Sequence, residues 1–213
     1  MRRAAGAGLK RGWYHRLFAA LLPLVSHKYE PLVEDRKREL FAPLSGRVIE
    51  IGAGTGVNLA HLPPSVEWIG VDPNPYMERY VRKAAARLGR RASFCLGAAE
   101  RLPAPDASAD AVVGTLVLCS VSDLERALSE ILRVLRPGGR FVFIEHVAAP
   151  AGSRTRRRQD CICPLWRRVA DGCHPNRETA RFLERAGFSE LHCDRFTLPL
   201  PIAGPHIAGF AVK

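Results

Sequence analysis

A chain of 213 residues, 47% hydrophobic and 25% charged, has the composition of one folded domain with short additions, which excludes wholesale disorder and leaves room for a substantial core. Its six cysteines, Cys95, Cys119, Cys161, Cys163, Cys173 and Cys193, are scattered rather than set in a compact framework, which points to a reduced, cytoplasmic setting. The net charge of +11 is uneven: residues 1–16 carry +5 and residues 154–168 another +5, so the body of the chain is nearly neutral.

In chain order, the basic start followed by apolar residues 17–25 has the outline of a signal peptide. A small-residue cleavage site is missing, however, and Pro23 and the charged residues 34–39 break the pattern. Nine apolar residues also fall short of the roughly 20 that a bilayer span needs. Trp13, Tyr14, Leu17, Phe18, Leu21 and Leu22 recur at helical spacing and predict an amphipathic helix. Such a helix can close over a ligand site as a lid, lie on an anionic membrane surface, or simply pack on the domain. A second helix is expected over residues 32–41.

Residues 48–51 are a β-branched run around Glu50, which reads as a buried strand. Gly52, Gly54 and Gly56 then permit a sharp turn with positive φ and close approach of a ligand to the backbone. A helix is expected from Val57 until Pro63-Pro64 stop it. A phosphate loop would need G-x-x-x-x-G-K-[ST], and neither the lysine nor the spacing is present. A dinucleotide site would want a third glycine where the chain has Val57. An ordinary glycine turn stays open on this motif alone.

Residues 67–71 read as the second strand, ending at Asp72, which lies 22 residues beyond Glu50. An acid at that place in an α/β sheet meets ribose hydroxyls, and a carboxylate suits the task because it only accepts hydrogen bonds. The alternative is a turn residue opening D-P-N-P. A basic amphipathic helix follows over 76–88 and a third strand over 93–96, leading into G-A-A-E-R-L-P at 97–103. A fourth, strongly apolar strand over 110–117 delivers Leu118, Cys119 and Ser120 to its carboxyl rim. Ser122 or Asp123 caps a helix running to Leu135 and ending at R-P-G-G, and a fifth strand covers 140–147. Strands and helices alternate, which demands right-handed crossovers and a parallel sheet.

Residues 150–175 interrupt this scheme with arginines and Cys161, Cys163, Cys173 and His174. C-x-C followed by C-H invites a zinc reading, but the spacing is not a common framework, and no metal is expected. Free cysteines on a mobile cover are the preferred reading. The arginines suit phosphate, as a lipid headgroup or a nucleic acid. Nucleic acid is disfavoured because no binding module or aromatic interleaving accompanies them. A last helix over 176–186 stops at Gly187, and residues 189–197 and 206–212 read as two closing strands.

The G-A-G-T-G turn with an acid two residues before it resembles the first motif of class I S-adenosylmethionine methyltransferases, and 97–103 resembles their adenine-side motif, with Ala98 where many members carry an acid. T-L-V-L-C-S-V at 115–121, L-R-P-G-G at 135–139, E-H-V-A-A at 145–149, D-G-C at 171–173 and P-H-I-A-G-F-A-V-K at 205–213 resemble the methyltransferase-like thiol S-methyltransferases, membrane-associated enzymes acting on small thiols. The resemblance covers roughly residues 45–213; those relatives carry a longer hydrophobic anchor in place of this chain's short basic helix. It implies a doubly wound α/β fold, a mostly parallel seven-stranded sheet with an antiparallel last strand. Residues 1–44 would form a helical lid or membrane-surface segment, and 45–213 the catalytic domain with its insertion at 150–175.

The implied cofactor is S-adenosylmethionine. Its contacts would be Glu50, Gly52, Ala53, Gly54, Gly56 and Asn58 at the first motif, Asp72 and Pro73 after the second strand, Ala98, Ala99 and Glu100 at the adenine wall, and Leu116 at the rim. The acceptor would be a small molecule, most naturally a thiol. A base would raise its ionised fraction, and the candidates are His146 at the end of the fifth strand, then Asp171 with His174. His146 can equally be a structural histidine. A quinone or phospholipid acceptor at a membrane surface, or a non-catalytic cofactor-binding partner protein, are the competing readings. The two basic segments, 1–25 and 154–168, are the expected contacts with an anionic membrane surface, making the protein cytoplasmic or peripheral to the membrane.

Overall fold

Apolar, β-branched runs form the centre of the sheet because each strand there is covered on both faces. The computed structural model describes residues 4–213, with side chains from residue 12 onward. It contains strands β1 (Arg47–Ile51), β2 (Glu67–Asp72), β3 (Ser93–Leu96), β4 (Ala109–Thr115), β5 (Leu135–His146), β6 (Glu190–Thr197) and β7 (Pro205–Val212). Their order in the sheet is β3-β2-β1-β4-β5-β7-β6. β1, β2, β3, β4 and β5 pair in parallel; β7 runs antiparallel to both β5 and β6. The expected doubly wound sheet with an antiparallel last strand is therefore the observed one. Its topology reverses between β1 and β4, where ligands of such sheets collect at the strand carboxyl ends.

Helices α1 (Ala4–Phe41), α2 (Glu78–Arg87), α3 (Leu124–Val134), α4 (Arg154–Val169) and α5 (Thr179–Arg185) complete the chain. One core lies between the sheet and α3 and α5, built on Val112, Leu128, Ile131, Phe141, Phe143 and Leu183. The opposite core gathers Phe41, Val48, Trp68, Val81 and Val142.

Four features depart from the sequence reading. The two expected N-terminal helices are a single helix, α1, that continues through Pro23 and Pro31. A proline inside a helix costs about 3 kcal/mol, and tertiary contacts of Tyr14, Phe18, Leu22, Tyr29 and Val33 on the inner face offset it. After the glycine turn, only a 3-10 turn forms at Val57–Ala60. The L-R-P-G-G stretch belongs to β5: Leu135 pairs with Ala109 and Arg140 with Ala111, so residues 136–139 bulge from the strand rather than ending a helix. Residues 150–175 hold a sixteen-residue helix, α4, rather than a loose cover. Buried Gln159 fastens it: its Oε1 accepts from Ala149 N, and its Nε2 donates to Val147 O and Ile202 O.

Candidate functional site: a covered cleft and a sulfur–imidazole cluster

Gly52, Gly54 and Gly56 take φ values of 61°, 50° and 75°, turning the chain away from β1 as only glycine does without strain. A Cβ on Gly52 would lie 2.6 Å from Val117 Cγ2. The loop is held by Asp72, whose Oδ2 accepts from Gly54 N at 2.9 Å and whose Oδ1 accepts from Asn74 N at 2.8 Å. Burial raises the Asp72 carboxyl above its usual range, against those two bonds. The free lone pairs of this fixed, almost buried carboxylate suit a pair of hydroxyls.

Glu50 is enclosed beneath the loop. Its Oε1 accepts from Asn58 Nδ2 at 2.9 Å and its Oε2 from Trp68 Nε1 at 2.8 Å. Burial nevertheless pushes it up to about 7. A cationic ligand beside it would restore the ionised form. Asn58 Oδ1 is buried with no hydrogen-bond partner among the described residues, so it too has capacity for a ligand donor. These groups fit an adenosyl cofactor with hydroxyls and an ammonium.

A cavity of about 200 Å³ opens above this floor. Glu50, Gly52, Ala53, Gly54, Asn58, Asp72, Pro73 and Leu116 line it together, as the sequence anticipates, and Asp171 joins them from the turn after α4. The roof comes from α1, where Phe18, Leu22, Val25 and Tyr29 line the cavity; a lid over the site was one of the sequence alternatives for the helix holding Phe18 and Leu22, and the parts of Val25 and Tyr29 were not anticipated. Leu22 reaches the glycine loop, with Cδ2 3.3 Å from where a Cβ on Gly54 would stand. Asn74 Nδ2 donates to His15 O at 2.9 Å and fixes the helix there. Leu116 and Asp171, two lining residues that are not glycine, have φ of 55° and 47°, an uncommon backbone that clusters at functional sites. A second cavity of about 210 Å³, bordered by Arg36, Arg140 and His192, lies under the far half of α1 and lacks these features.

Four expected cofactor positions lie outside the cavity lining. Gly56 backs the loop against Val81. Ala99 is buried, and Ala98 forms an isolated bridge with Arg101. Glu100 Oε1 accepts from Ser122 N at 2.7 Å and Asp123 N at 3.3 Å. Those bonds fasten Glu100 to the segment before α3, whose own cap is Asp123 with its side chain accepting from Arg126 N.

His146 and His174 are likewise placed by the fold. His174 N donates to Cys119 O at 2.8 Å, and its Nδ1 is 2.9 Å from Arg177 Nη2. Burial and then the Arg177 charge lower the His174 imidazole. Arg177 donates through Nη1 to Leu118 O and Val121 O, so both residues brace the segment after β4. Glu145, also pushed up to about 7 by burial, braces it from below, with Oε1 accepting from Val117 N and Leu118 N.

His146 Nε2 meets Cys173 Sγ at 3.0 Å, and Trp166 Nε1 donates to the same sulfur at 3.2 Å. Cys173 thus turns inward rather than joining exposed Cys161. Cys119 is the third member: among the described residues, the donor atoms of Cys119, His146 and Cys173 form a group within 4.8 Å of one another. The neighbouring Cys119 thiol, and then His146 and Trp166, hold the Cys173 thiol well below its usual range despite burial. Burial alone would lower the His146 imidazole; its bond to Cys173 and the Cys173 charge raise it. The pairing across 27 residues from β5 to a turn left no mark in local sequence spacing.

Comparison with known proteins follows the same lines. A family model described as a methyltransferase domain matches residues 49–143. Human thiol S-methyltransferase TMT1B is 40% identical over 219 aligned residues, spanning 96% of this chain and 88% of that protein. Human thiol S-methyltransferase TMT1A is 41% identical over 198 residues, spanning 87% and 81%. A solved methyltransferase from Thermotoga maritima, 22% identical, superposes with a TM-score of 0.67 over 94% of this chain and 99% of its own, a likeness of fold alone.

Proposed function

The chain belongs to the S-adenosylmethionine-dependent methyltransferase family that includes the thiol S-methyltransferases TMT1A and TMT1B, and we propose that its own acceptor is the sulfur of a small thiol. The observation that carries the reading is the placement of a sulfur–imidazole cluster beside the covered cleft. Ser120 and Asp171, neighbours of Cys119 and of the turn bearing Cys173, line the cavity floored by Glu50 and Asp72.

Bound in that cavity, the cofactor supplies an electrophilic methyl group on a sulfonium. Asp72 offers acceptors to its ribose hydroxyls and Glu50 a carboxylate to its ammonium. Phe18, Leu22 and Val25 close the cleft with apolar surface, which excludes water and favours a step that disperses positive charge. Holding donor and acceptor together accounts for on the order of 7 to 11 kcal/mol of barrier reduction in such in-line displacements.

A panel of thiols, phenols, amines and a quinol, scored for methyl transfer, tests the proposal. Turnover of thiols is expected; inert thiols with an active quinol would overturn it.

We also propose that the enzyme works against an anionic membrane surface. No helix among the described residues is long and apolar enough to cross a membrane. Yet α1 exposes Trp13, Leu17, Leu21 and Leu24 on one stripe while its other face covers the cleft, and α4 exposes Leu165 and Val169 among its arginines. Exposed apolar side chains beside basic ones suit the headgroup boundary. The side chains of residues 1–11, part of the expected basic contact, lie outside the described residues. Cosedimentation with phosphatidylserine vesicles that weakens with added salt is the expected result, and equal recovery with neutral vesicles would refute it.

A further inference from the structure

We propose that Cys119, His146 and Cys173 bind a divalent cation of the zinc class and leave its fourth position to the sulfur of the methyl acceptor. The proposal deepens the thiol reading and rests on it for the fourth ligand alone.

Two thiols and an imidazole with donor atoms within 4.8 Å of one another form a soft, mixed set that suits zinc. Zinc takes sulfur at about 2.3 Å and nitrogen at about 2.0 to 2.1 Å. Tetrahedral edges of roughly 3.4 to 3.8 Å follow from those lengths, so the three side chains need only small rotations about their present positions. Structural zinc sites are closed by four protein ligands, whereas catalytic ones use three and keep a position open. Three are present among the described residues.

Two of the three arms have outside support, as metal ligands do. Trp166 Nε1 donates to Cys173 Sγ. Cys119 sits on the segment held by Glu145 and Arg177. His146 lies in register with His206 at the end of β5. Around this triad four buried polar atoms have no hydrogen-bond partner among the described residues: Tyr29 Oη, Glu145 Oε2, His146 Nδ1 and His206 Nε2. Tyr29 and His206 stack at 5.8 Å, and the His146 and His206 rings are 6.3 Å apart. Unsatisfied buried groups of this kind call for water, an ion or a polar ligand. Tyr29 also lines the cofactor cleft, so the recess adjoins the place where an acceptor must reach.

The chemistry follows from softness. On coordination the acceptor's S–H bond breaks and its proton passes to solvent, because a metal-bound thiol ionises at neutral pH. During transfer the thiolate lone pair forms the new carbon–sulfur bond as the donor's methyl–sulfur bond breaks, and that electron pair stays on the donor sulfur. The neutral thioether is a weaker ligand and leaves to water.

The test uses the full-length, reduced protein. Zinc content after expression with added zinc is expected at one per chain, and at one per chain in Cys161→Ser. It is expected to fall toward zero in Cys119→Ala, His146→Ala and Cys173→Ser. Cobalt substitution of the unmutated protein keeps the question answerable if those variants fail to fold. Intense near-ultraviolet thiolate-to-cobalt bands and a tetrahedral visible spectrum are expected, and 2-mercaptoethanol, but not ethylene glycol, should shift the visible bands. Neither zinc nor cobalt bound to unmutated protein would overturn the site. Bound cobalt with a spectrum blind to the thiol would overturn the fourth-ligand assignment, as would full thiol methylation after chelation. Metal content is read without any acceptor, so failure of the thiol reading stays distinguishable.

Discussion

The phenolic oxygen of Tyr14 accepts a hydrogen bond at 2.8 Å from the backbone N–H of Asp171, tying α1 to the turn after α4 across 157 residues of chain. The roof of the cleft and the turn that carries Cys173 are therefore one mechanical unit, and opening the cleft must break or carry this bond. Tyr14→Phe keeps the ring and its stacking on Phe18 while removing the acceptor. A net loss of about 1 kcal/mol is expected, which is roughly a five-fold increase in the open population. Amide exchange in residues 12–22 should speed up by that factor and the cofactor should dissociate faster, with the exchange of β4 and β5 unchanged.

Glu50 makes cofactor binding depend on pH. Its folded-state carboxyl is pushed up to about 7 by burial, whereas an unfolded glutamate titrates near 4.3. The empty folded protein therefore holds an extra proton between those values. This group's contribution to stability is most favourable below the unfolded pKa and declines as pH rises through 7. Affinity for the cofactor runs the other way, because only the ionised carboxylate pairs with an ammonium. Calorimetric titration with S-adenosylmethionine should give weaker binding at about pH 6 than at about pH 8. Glu50→Gln should bind weakly at both and lose this component of the pH dependence.

How much of this was open to the sequence depends on whether the determinant is local. The strands around Ile49, Ile69, Val112 and Val142 were legible because burial on both faces forces continuous apolar runs. The floor of the cleft was legible because Gly52, Gly54 and Asp72 meet backbone demands set by neighbouring residues. The single long α1 was not, since Pro23 is a local stop signal and the packing that overrides it is tertiary. The bonds of Glu100 to Ser122 N and Asp123 N were not legible either, because they join residues more than twenty positions apart. Cys119, His146 and Cys173 come from three elements, and the tempting local pattern of Cys161 with Cys163 pointed elsewhere.

Gln159 offers a test of whether α4 is a fixed wall. Its amide makes three bonds to backbone groups of Val147, Ala149 and Ile202 while fully buried. Gln159→Leu preserves bulk but strands those groups, at about 1 to 3 kcal/mol for each one left dry. Thermal unfolding should begin several degrees lower. Exchange should rise across α4 and the residue 199–204 turn, with α2 unaffected.

Asp72→Asn should separate the geometric from the electrostatic part of cofactor recognition. Both Asp72 oxygens accept from backbone N–H groups, Gly54 on one side and Asn74 on the other. An asparagine has one acceptor and one donor end, so either orientation sets its NH2 against an N–H and loses one of the two bonds. Turned from Gly54, it frees the glycine loop; turned from Asn74, it loosens the residue whose Nδ2 holds α1 through His15 O. The cost is about 1 to 3 kcal/mol in either case, so affinity for S-adenosylmethionine should fall roughly 5- to 150-fold. Asp72→Ala, lacking both acceptors, should bind more weakly still. Affinity unchanged in Asp72→Asn would mean that the loop is held from elsewhere and that the ribose hydroxyls find another acceptor.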